Sequence, residues 1–201
     1  GDAFISHKWD RIDEIPNGGI IATGSTRRKS QILALRKDIE IVDLRGNIET
    51  RLNKLKQGEW DGILMASAAL HRLNLKHIIS EYLDTNIFVP AVGQGAIGLE
   101  IADNRNGIKS IINSITDENT NICCTAERVF MKQLDGGCST PLGCLATCKN
   151  DGVNITGFLG NANGSEVIRS NKSGNITDAN NIAKNLAIEF INIGAKELLK
   201  V

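Results

Sequence analysis

The sequence predicts an α/β chain in which a parallel-sheet unit is followed by a small α+β unit. Three observations carry that expectation. Between Gly18 and Leu75, short apolar runs alternate with helix-like stretches, the pattern of a parallel sheet covered on both faces. From Leu142 onward the pattern changes to short strands separated by Asp-Gly and Asn-Gly turn signals. An amphipathic stretch then closes the chain, so strands followed by a helix form the second unit.

Taken in order, GGIIAT (18–23) reads as a buried strand, and STRRKSQILALRK (25–37) as a helix opened by a Ser or Thr cap. IEIVDL (39–44) is the next strand. The helix after it runs from Ile48 to Gln57, with Ile48, Leu52 and Leu55 on one face and Gly58 as its stop. DGILMAS (61–67) is a third strand, leading into a short helix over Ala69–Leu73.

The segment from Asn86 to Ala102 contains GQGAIG (93–98), a formal match to the dinucleotide fingerprint. That motif needs a strand before it and a helix after it, so that the helix N-terminus meets pyrophosphate. Pro90 interrupts the approach, and AIGLEIADNRNG reads as a strand running into a turn. A strand crossing between domains is therefore preferred to a nucleotide site. An amphipathic helix follows over Thr120–Leu134, with Ile122, Ala126, Val129, Phe130 and Leu134 inward. LGCLATCK, NITGFLG and SEVIRSN are the later strands. A last helix spans Asp178–Leu199, with Ile182, Leu186, Phe190 and Leu198 on one stripe.

Bulk composition narrows the function classes. The chain has 201 residues and zero formal net charge, so nothing draws it generally to nucleic acid or to a membrane surface. Aromatic residues make up only 4%, too few for a base-stacking platform. No apolar run is long enough to span a bilayer. Five cysteines, an odd number, suit a reducing compartment better than a disulfide framework. A cytoplasmic protein is expected.

The chemistry concentrates in arginines and one cysteine. Arg27 and Arg28 occupy the first turn of their helix, where positive charge opposes the dipole at about 0.3–1 kcal/mol per charge. Free backbone N–H groups at the same turn favour an anion, so a bound carboxylate or phosphate would explain the pair; a solvated surface pair is the alternative. Arg45 and Arg72 follow the second and third strands, and Arg51 lies in the intervening helix. Arginine thus lines the carboxyl edge of the sheet, where open α/β sheets bind ligands. Such a set suits a polyanionic organic ligand better than a single phosphate.

In LDGGCSTPLG (134–143), Gly136 and Gly137 permit unusual backbone angles and Pro141 stiffens the exit. Cys138 would then project as a thiol able to carry a covalent group; a small buried hydrophobe is the other reading. Cys144 and Cys148 make a single spaced pair with no second pair, so no metal site is expected. Cys123 and Cys124 read as structural residues on a helix, and His7, His71 and His77 form no triad or metal spacing.

ATGSTRRKSQ (22–31), LRGNIETRLNKLKQGEWDGILMASAALHRL (44–73), VPAVGQGAIGLE (89–100), TAER (125–128) and LDGGCSTPLG (134–143) together resemble the hydroxymethylbilane synthase (porphobilinogen deaminase) family. The resemblance covers essentially the whole chain. It implies a transferase of haem biosynthesis that joins four porphobilinogen units, with loss of ammonia, into a linear tetrapyrrole. Growth occurs on a dipyrromethane cofactor in thioether linkage to the cysteine that Cys138 matches.

The resemblance also implies cofactor contacts for Thr23, Ser25, Arg27, Arg28 and Arg45, and substrate contacts for Arg28, Arg51, Arg72 and Gln94. The first unit should be periplasmic-binding-protein-like, and the whole protein a monomer. The implied boundaries are 1–89 for the second α/β domain, 90–117 for a return segment of the first domain, and 118–201 for the cofactor-bearing domain. The family's essential aspartate, in an HSxKDxP motif, is expected upstream, so no catalytic residue is assigned within this chain, which by itself is expected to be inactive.

The sequence departs from the family's G-T-S-S at Ala22-Thr23-Gly24-Ser25, and from A-G-L-K-R at Ala68-Ala69-Leu70-His71-Arg72. A solute-binding module, or a structural fragment without catalysis, would be compatible with the arginine edge, but the first has no use for Cys138.

Overall fold

The computed structural model describes residues 1–58, 60–137 and 139–198. Its first unit is a five-stranded sheet in the order β3-β2-β4-β1-β5. The strands are β1 (Asp2–Ile5), β2 (Ile20–Ala22), β3 (Glu40–Val42), β4 (Gly62–Ala66) and β5 (Glu81–Tyr82). The three strands read from the sequence pair in parallel, β2 with both β3 and β4. The sheet as a whole is mixed, because β1 lies antiparallel between β4 and β5. The expected parallel set is thus present, and β1 adds an antiparallel strand that the sequence does not announce: DAFI is a four-residue strand carrying a charge, too short to show a period.

Period-2 alternation sorts the strand residues between two cores. Ala3, Ile5, Ala22, Ile63 and Met65 point to one face, with Leu55 of α2 (Ile48–Lys56) and Leu70 of α3 (Ser67–Arg72). Phe4, Ile21 and Leu64 point to the other, with Ile32 of α1 (Thr26–Leu35). Both faces are therefore covered, as a parallel set requires, and each fully buried Leu, Ile or Phe contributes about 1.5–3 kcal/mol. Helix starts follow cap chemistry: the side chains of Ser25 and Asn47 accept from the N–H groups of Arg28 and Thr50.

A connecting segment leads through α4 (Asn106–Ile115) to the second unit. The strand expected after Gly95 does not form. Residues 96–102 have no sheet partner among the described residues, and Ile97 and Leu99 are 77% and 59% exposed. Without a neighbouring edge to satisfy its backbone, an apolar run remains extended chain in water. Ile111 and Ile115 of α4 are similarly exposed.

The second unit is an antiparallel meander of β6 (Leu142–Lys149), β7 (Gly152–Gly160) and β8 (Val167–Asn175). Helices α5 (Glu118–Gln133) and α6 (Ala179–Asn192) pack on it, with Phe130 and Phe190 edge to face at 5.1 Å. Lys149 pairs with Gly152 across a two-residue turn, where Asn150 takes a left-handed φ of 54°. The closing helix is not continuous: it ends at Asn192 and resumes as α7 (Ala195–Leu198). Gly194 explains the break, since it is a natural C-terminal stop that the apolar stripe alone conceals.

The two units are in contact. The β7–β8 loop packs on α1, and Gly164 has φ +67° there, with a hypothetical Cβ only 2.4 Å from the Ser30 carbonyl oxygen. The Cys144 N–H donates to the Pro90 carbonyl at 3.0 Å. The Arg169 guanidinium donates to the Ile87 carbonyl and stands over the Phe158 ring.

Candidate ligand-binding site

At the base of the site lies a buried ionic triad. Asp2 shares the face of β1 that carries Phe4, which places its carboxylate under the first turn of α1. Arg27 Nη1 donates to Asp2 Oδ2 at 2.7 Å and Arg28 Nε to Asp2 Oδ1 at 2.8 Å. All three side chains are nearly inaccessible, at 0% exposure for Asp2, 5% for Arg27 and 10% for Arg28. Burial pushes the Asp2 carboxyl upward, but the charges and hydrogen bonds of Arg27 and Arg28 outweigh it and hold the group below its ordinary value. Burial and the neighbouring Arg27 and Arg51 charges lower Arg28.

The anion that the paired arginines call for is thus supplied in part from within the chain. One carboxylate faces two guanidiniums, so one positive charge remains in excess. Arg27 and Arg28 also donate to the carbonyls of Val89 and Leu64, whereas Arg27 Nε is buried without a partner. Sequence reasoning leaves Asp2 unassigned, although a charged residue inside an apolar strand is a visible signal.

Gln94 joins this group from the connecting segment. Its Oε1 accepts from Arg27 Nη2 at 3.1 Å, and its Nε2 donates to the Gly1 carbonyl at 3.0 Å and to Asp2 Oδ1 at 3.1 Å. Gln31, also unassigned from the sequence, exchanges two hydrogen bonds with the backbone of Val89. The GQG residues form a turn with no strand leading in and no helix leading out until Asn106, so the dinucleotide motif lacks the geometry a pyrophosphate needs. Glu127 holds this turn from the other side. Its Oε2 accepts from the Gly93 N–H at 2.6 Å and its Oε1 from the Ala146 N–H at 2.9 Å. Burial raises the Glu127 carboxyl above its ordinary value, partly offset by those two N–H donors and by Arg128.

Above the triad, Thr23 and Ser25 line a small cleft of about 160 Å³ with Lys29 and Asp43, at the carboxyl ends of β2 and β3. Thr23 Oγ1 accepts from the Ser25 N–H at 3.2 Å, and Ser25 caps α1. Gly24 is fixed by close approach: a Cβ there would lie 2.7 Å from the Leu44 carbonyl oxygen. This explains the small residue where the family pattern has serine.

Arg45 is exposed and pairs with Asp43 at 2.9 Å, while Arg51 Nε donates to the Gly46 carbonyl at 2.8 Å. Arg72 ends α3, exposed, with no ion-pair partner among the described residues. The structure therefore separates the predicted arginines into two buried ones, Arg27 and Arg28, and three more accessible ones, Arg45, Arg51 and Arg72.

Cys138 lies outside the described residues. Its flanks form a tight turn, in which the Thr140 N–H donates to the Gly137 carbonyl and the Gly137 N–H to Thr140 Oγ1, both at 3.0 Å. The left-handed angle of this loop falls on Asp135, at φ 50°, and not on the glycine pair. Gly136 serves close packing instead, since a Cβ there would meet Leu142 at 3.0 Å. Cys144 is buried in the second core, whereas Cys123, Cys124 and Cys148 line a cavity of about 430 Å³. Among the described residues no three His, Cys, Asp or Glu side chains converge on a metal position. No described helix is long and apolar enough to cross a membrane.

The fold defines the class: a mixed-sheet α/β unit joined to a small α+β unit. Residues 1–110 match the family model described as porphobilinogen deaminase, dipyromethane cofactor binding domain, and residues 121–192 match porphobilinogen deaminase, C-terminal domain. The porphobilinogen deaminase of Maridesulfovibrio salexigens is 43% identical over 198 residues, covering 98% of this chain and 64% of the relative. That of Campylobacter hominis is 42% identical over 201 residues, covering 99% and 65%. That of Clostridium novyi is 41% identical over 187 residues, covering 92% and 62%. The chain belongs to the porphobilinogen deaminase family, and it spans about two thirds or slightly less of the length of these relatives.

Proposed function

We propose that the protein carrying this chain is a hydroxymethylbilane synthase, which joins four porphobilinogen molecules with release of ammonia into a linear tetrapyrrole. The observation that carries this reading is the buried Asp2–Arg27–Arg28 group, in which two guanidiniums share one carboxylate and the Arg51 charge is felt at Arg28. A growing pyrrole chain multiplies acetate and propionate groups, and each guanidinium–carboxylate contact contributes about 1.5–3 kcal/mol.

The residues present fit a carboxylate-bearing dipyrromethane. Arg27 Nε is a buried donor without a partner, and Thr23 and Ser25 line the small cleft with Lys29. When bound, the dipyrromethane supplies the pyrrole terminus to which the next unit is added. In this reading Cys138 is its tether, Thr23, Ser25, Arg27, Arg28 and Arg45 hold it, and Arg28, Arg51, Arg72 and Gln94 hold substrate. Arg45, Arg51 and Arg72 grip carboxylates and orient the chain. The excess positive charge of the triad raises the affinity of that edge for anions. Gln94, bonded to both Arg27 and Asp2, keeps the turn at residues 93–95 registered against them. The reading assigns no catalytic carboxylate to this chain.

The same reading makes 1–89 and 118–201 separate domains. It gives 90–117 to a further domain, whose packing would cover Ile97, Leu99, Ile111 and Ile115. It also makes the protein a cytoplasmic monomer without nucleic-acid or membrane partners, in keeping with its zero net charge and odd cysteine count. The test uses the complete gene product. It should consume porphobilinogen and carry a covalent mass adduct on Cys138, and C138S should lose both; an active protein with an unmodified Cys138 overturns the assignment.

A further inference from the structure

Cys123 of α5 and Cys148 of β6 lie 25 residues apart in sequence, yet their sulfurs are 3.2 Å apart. Both are half-buried and line the 430 Å³ cavity, together with Gln94, Thr120, Cys124, Glu127 and Thr147. The spacing discriminates between uses of a thiol pair. Two thiolates on a tetrahedral metal at about 2.3 Å each stand about 3.8 Å apart, wider than this pair. A disulfide requires a separation of about 2.05 Å, reached by a small closing motion of two side chains already in contact. Cys144, by contrast, is sealed in the core.

We propose that Cys123 and Cys148 form a modification site, a dithiol that closes to a reversible disulfide by exchange with a small oxidised disulfide such as oxidised glutathione. One sulfur, as thiolate, attacks the reagent's S–S bond, making a mixed disulfide and releasing one small thiol. The second then attacks the mixed disulfide, forms the Cys123–Cys148 bond and expels the second small thiol. The protein loses two protons and two electrons, and the reagent takes up both.

Burial, the hydrogen bond with Cys148 and the charges of Cys148, Glu127 and Cys124 hold the Cys123 thiol up to about 12. Closure therefore accelerates as pH rises. The bond would fasten α5 to β6 beside Glu127, which anchors the Gly93 turn.

The freshly reduced complete gene product is incubated with oxidised glutathione at mildly alkaline pH, digested without reduction and read by mass spectrometry. The expected result is a cross-link between the peptides holding Cys123 and Cys148, retained in C124S and C138S but lost in C123S and in C148S. Circular dichroism of the reduced variants checks that they fold, and closure should raise the unfolding temperature of the unsubstituted protein by several degrees. Glutathione adducts without a cross-link, or a cross-link surviving in C123S, overturn the proposal.

Discussion

Asp2 Oδ2 and Arg27 Nη1 meet at 2.7 Å, with the two side chains 0% and 5% exposed. A first residue pair of this kind, strand to helix, fixes how α1 sits over the sheet. Removing the carboxylate leaves two guanidiniums buried without a counter-charge.

Asp2→Asn is therefore expected to destabilise the fold by about 3–5 kcal/mol, the range for breaking a buried pair by removing one partner. Acid should have a related effect. The folded-state value of Asp2 is depressed, so its contribution is present above the unfolded value of about 3.9 and lost as pH falls through the lower folded value. Urea unfolding at several pH values reads both; an Asn variant as stable as the parent would refute the structural role of the triad.

Glu127 should titrate with the opposite sign. Its folded value is raised, so below the unfolded value of about 4.3 the group imposes no penalty. Stability then declines as pH rises through the folded value. Glu127→Gln should flatten that slope while costing about 1–3 kcal/mol, because its amide nitrogen meets one of two N–H donors from Gly93 and Ala146. Thermal melts across mildly acidic pH test the flattening.

Gly24→Ala is expected to cost about 1–3 kcal/mol through overpacking, since the added methyl would approach a backbone oxygen, that of Leu44, to 2.7 Å. The cleft at Thr23 and Ser25 should be distorted with it. Comparing urea midpoints for Gly24→Ala and for an exposed control such as Gly98→Ala, where a Cβ would meet nothing, separates steric cost from chain entropy.

Arg45→Ala and Arg72→Ala should leave the unfolding midpoint nearly unchanged, as both side chains are exposed. In the complete gene product each should reduce porphobilinogen turnover roughly 10- to 100-fold, the equivalent of a lost charge-assisted contact. Unchanged turnover in both would argue against the arginine edge as the ligand site.

How much was readable in the sequence depends on the range of the interaction. β2, α1, β3, α2 and β4 follow from local period and caps, and they form where expected. β1 was not readable because a four-residue strand has too little period and owes its place to partners more than fifty residues away. The absent strand after Gly95 shows the converse, an apolar run with strand character but no edge to pair with. Arginine positions were visible, yet the burial of Arg27 and Arg28, in contrast to exposed Arg45 and Arg72, depends on Asp2. Glu127 was visible only as part of TAER, because its two N–H partners come from distant loops.

The central place of β1 bears on how the chain acquires its shape during synthesis. Its partners in β4, such as Met65 opposite Ala3, emerge from the ribosome some sixty residues later. Until then no strand joins β1 to β2, because β4 lies between them. Non-local pairing of this kind slows folding and leaves strand edges open in the nascent state. A chaperone that shields β2 and β3 during that interval would raise the yield of folded protein without touching any contact in the finished one.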